Sequence, residues 1–129
     1  MSELLSESFL NKYREIRNTP LSNIGEFVYL RTYSRYLNNK KRRETWFETV
    51  LRTTEYNIEL GIEFKKKQGL SINLQDEVKE AELLFDNLFN LRTFTSGRTL
   101  YMGGTDIVKE YPLSNYNCAF TMVEKFHDF

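Results

Sequence analysis

Sulfur and imidazole are the scarcest chemistry in this chain of 129 residues, which carries one cysteine, Cys118, and one histidine, His127. A structural zinc site takes about four Cys or His ligands and an intrachain disulfide takes a pair of thiols, so no metal site or disulfide of that kind is expected. A Cys–His nucleophile pair is formally open, but His127 stands close to the C-terminus, where chains fray, and this argues against it. Long hydrophobic runs are missing too. Near the N-terminus the longest is Phe27-Val28-Tyr29-Leu30, far below the roughly 20 residues that cross a bilayer. No secretory apolar region occupies residues 1–21. The expectation is a soluble cytoplasmic protein with no membrane partner. Net charge is also absent: eighteen Lys and Arg balance eighteen Asp and Glu. No global field therefore draws the chain to nucleic acid or to acidic lipid, and direct nucleic-acid binding is not expected.

What is present describes a folding chain. Hydrophobic residues make up 40% and charged residues 28%, which excludes disordered and low-complexity classes. The length suits one domain, and at this mass folding buries about two-thirds of the unfolded surface. Charge is unevenly placed: residues 31–67 hold ten basic and five acidic side chains, residues 68–90 one basic and five acidic. The densest basic stretch, Lys40-Lys41-Arg42-Arg43, reads first as a solvated loop and second as a phosphate or RNA patch.

Periodicity divides the chain. From Ser2 to about Arg17, Leu5, Phe9, Leu10, Tyr13 and Ile16 recur at helical spacing, with Ser2 as the N-cap. Pro20 disfavours helical geometry at Thr19 and ends that element. Residues 27–37 fit both a strand alternation and a helical one, and their aromatic and threonine content favours an extended stretch. Residues 44–60 put Trp46, Phe47, Val50, Leu51, Thr54 and Ile58 on one helical side, with Gly61 near the end and Lys65–Gly69 as a solvated connection. The clearest helix runs from about 74 to 91. Asn73 caps it, Asp76 and Glu77 suit its positive end, and Leu74, Val78, Ala81, Leu84, Phe85, Leu88 and Leu91 form its apolar stripe.

Beyond Leu91 the character changes. Gly97, Gly103 and Gly104 bracket a short apolar strip, Arg98–Met102, and residues 117–123 read as a buried strand. A region of irregular chain and short strands is therefore expected after about ninety helical residues. One buried strand needs neighbours for its backbone N–H and C=O groups. This chain offers few, so the sequence reads as the beginning of a larger fold.

Few motifs carry chemistry. The glycines do not make a phosphate loop, because Gly104-Thr105 stands where such a loop needs Lys then Ser or Thr. The pairs Asp76/Glu77 and Glu80/Glu82 read as capping and solubilising groups on a helix rather than an acid/base pair. Cys118 is the exception. A lone cysteine is often a small hydrophobe, yet this one follows Leu113-Ser114-Asn115-Tyr116-Asn117 at the entry to a strand, where barrel enzymes hold reactive groups.

Five segments, in order, resemble one family: Arg31–Leu37 (RTYSRYL), Glu44–Val50 (ETWFETV), Glu80–Leu84 (EAELL), Ser96–Asp106 (SGRTLYMGGTD) and Asn117-Cys118. The sequence is similar to the N-terminal portion of adenosylcobalamin-dependent ribonucleoside-triphosphate reductases, the class II ribonucleotide reductases. The resemblance spans residues 27–123 and is specific as a set.

That resemblance implies a ten-stranded α/β barrel preceded by a helical domain. Residues 1–92 would be the mainly α N-terminal domain, and residues 93–129 would lead through a loop into the first barrel strand, leaving the barrel incomplete in this chain. It implies that Cys118 is one of two cysteines that reduce the ribose 2′ carbon and become a disulfide, and that Thr99 and Asn117 lie near the bound nucleotide. It further implies a thiyl radical on another cysteine, generated by adenosylcobalamin, which takes the 3′ hydrogen. The radical cysteine, the partner thiol and the cobalamin-binding region would all belong to sequence outside this chain. The partners implied are the remaining C-terminal part of the reductase, a ribonucleoside triphosphate and an external thiol reductant such as thioredoxin. Elementary redox chemistry points the same way, since a dithiol/disulfide couple needs two thiols and this chain has one. A fragment, a truncated gene or one half of a split enzyme would all fit, each inactive alone. The alternative is a small helical interaction module whose segment 29–43 contacts a protein or nucleic acid, with Cys118 inert.

Overall fold

Helix starts are set locally, by a small polar side chain that takes up a free backbone N–H. In the computed structural model, which describes residues 4–16, 19–116 and 118, the first such cap is Ser6 rather than Ser2. Its hydroxyl accepts from the Phe9 amide at 3.3 Å and starts α1, Glu7–Arg14. The helix is shorter than expected because Leu4 and Leu5 enter the core ahead of it.

Ser22 caps α2, Asn23–Thr32, by accepting from the Gly25 amide. This corrects the extended reading of residues 27–37. Only Tyr29 of α2 is buried, while Ile24, Phe27, Val28 and Leu30 are exposed around it. The apolar residues form no single stripe, so the pattern carried no helical signal. Only Tyr36–Leu37 is extended, as strand β1, which pairs antiparallel with β2, Arg42–Arg43, in the register Tyr36↔Arg43 and Leu37↔Arg42. Lys41 turns the hairpin at φ 50°.

The basic run does sit in this hairpin, but it is not simply solvated. Lys40 Nζ lies 2.7 Å from Glu48, and Arg42 grips the same carboxylate at 2.6 and 2.7 Å. Glu48 also closes a capping box with Thr45 at the start of α3, Trp46–Lys67. The Arg42 hydrogen bonds, then Lys40 and the Thr45 amide, hold the Glu48 carboxyl well below the usual carboxylate range. A depressed carboxyl pKa stabilises the fold above the unfolded value, near 4.5, and that contribution disappears as pH falls. Glu48→Gln is therefore expected to cost about 1 kcal/mol at pH 7. The gap from the parent chain should narrow steadily below pH 4.5 in urea denaturation; a constant gap down to pH 3 would refute the assignment.

Helix α3 runs through Gly61 and takes in Lys65–Lys67, seven residues beyond the expected end at residue 60. A Cβ at Gly61 would meet nothing within 4 Å, so this glycine is an ordinary helix residue. Its propensity cost of about 1 kcal/mol is offset by a cooperative helix on either side. Asn73 caps α4, Leu74–Phe89, as read from the sequence. Leu91, at φ 59°, lies past the helix end.

Two contacts show that α3 and α4 run antiparallel. Lys65 near the end of α3 pairs with Glu77 near the start of α4, and Trp46 Nε1 donates to the Phe89 carbonyl at 3.0 Å. Glu77 is thus a buried ion-pair partner, not a solvated surface acid, whereas the exposed Asp76 accepts from the side-chain amide of the cap residue Asn73. Phe85 sits at the centre of the interface with no exposure. Phe9, Tyr13, Phe47 and Phe89 surround it at ring-centroid distances of 5.7, 4.9, 5.7 and 6.0 Å. Of the expected α4 stripe, Ala81, Phe85 and Leu88 are fully buried, while Leu74 is exposed. Tyr13 donates to Asp86 at 2.7 Å, and burial together with that carboxylate pushes its phenol up to about 12.

The expectation of short strands beyond residue 92 fails over the described part. Ser96 caps α5, Gly97–Met102; α6 covers Asp106–Glu110; a 3-10 turn covers Pro112–Asn115. The strip Arg98–Met102 is helical because the Ser96 hydroxyl accepts from the Thr99 amide and Thr99 and Leu100 are buried. The described architecture is therefore mainly helical, with one small hairpin. Asn117 and His127 lie outside the described residues, as does the expected strand 117–123 apart from Cys118. Among the described residues no helix is long and apolar enough to cross a membrane.

Candidate functional site

The site is assembled on α5, and α5 is held in place by one arginine of α3. Arg52 turns its guanidinium inward between the hairpin and the end of α5. Its Nε and Nη2 donate to the two carboxylate oxygens of Glu44, each at 2.9 Å. The same group donates to the carbonyls of Leu100 at 3.0 Å and Gly103 at 2.5 Å. Those carbonyls belong to the C-terminal turn of α5, which has no further helical N–H to satisfy it.

Glu44 is 4% exposed, so its charge requires these donors. The Thr49 hydroxyl adds a third at 2.9 Å. Tyr29 lies 2.8 Å from Thr49 and donates to the Glu44 carbonyl, and burial pushes its phenol up. The fit is close on the far side as well. A Cβ at Gly103 would stand 2.5 Å from the Thr99 carbonyl oxygen and 2.9 Å from the Tyr56 ring, so only glycine lets α5 end against α3. Gly104 follows at φ 73°, a conformation that suits glycine.

From this platform α5 reaches the segment that leads to Cys118. The Thr99 hydroxyl lies 2.9 Å from Ser96 Oγ and 3.2 Å from Asn115 Nδ2, and Thr99 is 8% exposed. Arg98, one residue earlier, donates through Nη1 to the carbonyls of Ser114 at 3.1 Å and Tyr116 at 2.8 Å. Two adjacent α5 side chains therefore hold residues 114–116. Cys118 follows and is exposed, with a free thiol.

Of the residues singled out by sequence, Thr99 is bonded to Asn115, and Cys118 lies two residues beyond Tyr116, the last residue held from α5. Asn117 lies outside the described residues. Sequence reading missed Glu44 and Arg52 as a buried pair. It also missed Arg98 and Asn115, although Arg98 stands within the Ser96–Asp106 segment. Among the described residues no group of three His, Cys, Asp or Glu side chains could hold a metal ion. A cleft of about 700 Å³, lined by Tyr13, Arg43, Trp46, Glu48 and Phe89 among others, involves neither Thr99 nor Cys118.

A sequence profile of the ribonucleotide reductase alpha domain matches residues 5–105, most of the described chain. The chain belongs to the ribonucleotide reductase alpha-domain family.

Curated relatives narrow the class. The adenosylcobalamin-dependent ribonucleoside-triphosphate reductase of Lactobacillus leichmannii is 33% identical over 126 residues, covering 96% of this chain and 17% of that protein. The enzyme of the same name from Lactobacillus gasseri is 37% identical over 100 residues, covering 78% and 13%. A crystal structure of a B12-dependent, class II ribonucleotide reductase superposes with a TM-score of 0.76 at 35% identity, covering 88% of this chain and 16% of that one. The chain thus spans about 17% of the length of relatives such as the first. In this reductase-family chain the profile match includes the Glu44–Arg52 pair and Thr99 and stops before Asn115 and Cys118.

Proposed function

We propose that this chain supplies the N-terminal part of an adenosylcobalamin-dependent ribonucleoside-triphosphate reductase and that Cys118 is one of its two substrate-reducing thiols. Residues 1–92 form the helical domain, and residues 93–129 lead into the first strand of the reductase barrel. The observation that carries the reading is the 33% identity to reductases of that class over 96% of the chain. The exposed, free thiol of Cys118 at the end of the α5-held segment is consistent with it.

The chemistry assigned to this chain is half of a two-electron couple. Cys118 and a second thiol from outside the chain each give up one electron and one proton, and an S–S bond forms between them. The ribose C2′–OH bond breaks, C2′ gains hydrogen and the oxygen leaves as water. An external dithiol such as thioredoxin then returns the two electrons. Thr99 and Asn117 are assigned to the nucleotide side of the same site. We assign adenosylcobalamin to the rest of the enzyme, since this chain spans about 17% of the length of the adenosylcobalamin-dependent relatives.

Cys118→Ser tests the reading. The variant should unfold at the parent's urea midpoint, because the thiol is exposed. Reduction of ribonucleoside triphosphates, assayed with the remaining reductase sequence supplied, should fall to background. Full activity of the variant, or deoxynucleotide formation by this chain alone, would overturn the proposal.

A further inference from the structure

The segment before Cys118 has little to hold it by itself. The 3-10 turn Pro112–Asn115 buries no side chain, and its own backbone contributes the bonds from the Ser114 amide to Tyr111 and from the Tyr116 amide to Leu113. Short 3-10 turns are weak elements. The fixed body nearby is α5, whose end is held by Arg52 and whose last residues fit against Tyr56.

We propose that Arg98 is the positioning residue for Cys118, bracing the carbonyls of Ser114 and Tyr116 from α5 so that the thiol is held at a fixed point. A planar guanidinium can reach two carbonyls at once, and here one nitrogen, Nη1, lies 3.1 and 2.8 Å from them. Tyr116 is two residues from Cys118, too short a tether for the thiol to move freely while that carbonyl is held. Thr99 supports the brace through Asn115 at 3.2 Å. Arg98 touches neither the thiol nor the reacting atoms; it acts through the backbone. This inference rests on the reading of Cys118 as a redox thiol, but the brace itself is measurable without turnover.

The lone cysteine makes the experiment direct, because a nitroxide label attaches only at Cys118. In the 129-residue chain, Arg98→Ala should sharpen the label's spectrum and speed exchange of the Ser114 and Tyr116 amides about tenfold, as expected for two lost hydrogen bonds. The urea midpoint should stay near the parent's, since Arg98 is exposed. Arg98→Lys, whose one ammonium nitrogen can donate to both carbonyls as Nη1 does, should recover most of the effect. Unchanged label mobility in Arg98→Ala overturns the proposal, as does no recovery by lysine or a general drop in stability. If the label loosens as expected while Cys118→Ser retains reductase activity, the brace stands and the redox reading fails. If Cys118→Ser is inactive and the label does not loosen, the reverse holds.

Discussion

Arg52→Ala is expected to lower the unfolding free energy of the chain by about 3–5 kcal/mol, the usual cost of removing one member of a buried ion pair. The reason is what remains. Glu44 is 4% exposed and would keep only the Thr49 hydroxyl for its charge. The carbonyls of Leu100 and Gly103 would lose their side-chain donor at the same time. Urea denaturation followed by circular dichroism measures the loss, and a value below about 1 kcal/mol would show that water replaces the guanidinium freely. Coupling should also be visible. Arg52→Ala and Glu44→Ala combined should cost less than their sum by about 1 kcal/mol or more, because the second substitution removes the charge stranded by the first. Strict additivity would mean that the pair is not the link between the hairpin, α3 and α5.

Phe85→Ala should be of similar size, about 3–5 kcal/mol, for a different reason. Its ring is fully buried among Phe9, Tyr13, Phe47 and Phe89, and the four neighbours come from three helices. They cannot all collapse into the space without shifting α1 relative to the α3–α4 pair. Phe85→Leu keeps most of the apolar volume and should cost clearly less. The single tryptophan reports the outcome, since Trp46 is packed edge-on to Tyr29 at 5.3 Å and bonded to the Phe89 carbonyl at 3.0 Å. Its emission should shift to the red at a lower urea concentration in Phe85→Ala than in the parent. Equal midpoints would show that the aromatic cluster is not the centre of the core.

The two long helices were legible because each buries one face against the other, and a buried face leaves its 3.6-residue period in the sequence. Helix α2 was not. It buries Tyr29 alone, so its apolar residues follow no period, and the aromatic content pointed the wrong way. Helix α5 was missed for a related reason: it is six residues long, and its helicity comes from the Ser96 cap and the docking of Leu100. Family membership was readable from short ordered segments, although no single one identifies it. The roles of Arg52 and Arg98 were not readable, because an arginine in a sequence carries no sign of which carbonyls it will meet.

By itself the sequence determined the long helical pair, the cap at Asn73, the family, and the count of a single thiol. Each of these depends on neighbours along the chain or on counting atoms. Only the tertiary structure decided that Glu77 is buried against Lys65, that Lys40 and Arg42 share Glu48, and that Arg52 ties Glu44 to the end of α5. Charged groups are solvated along an extended chain, and whether one becomes a surface charge or a buried strut depends on which distant backbone folds over it.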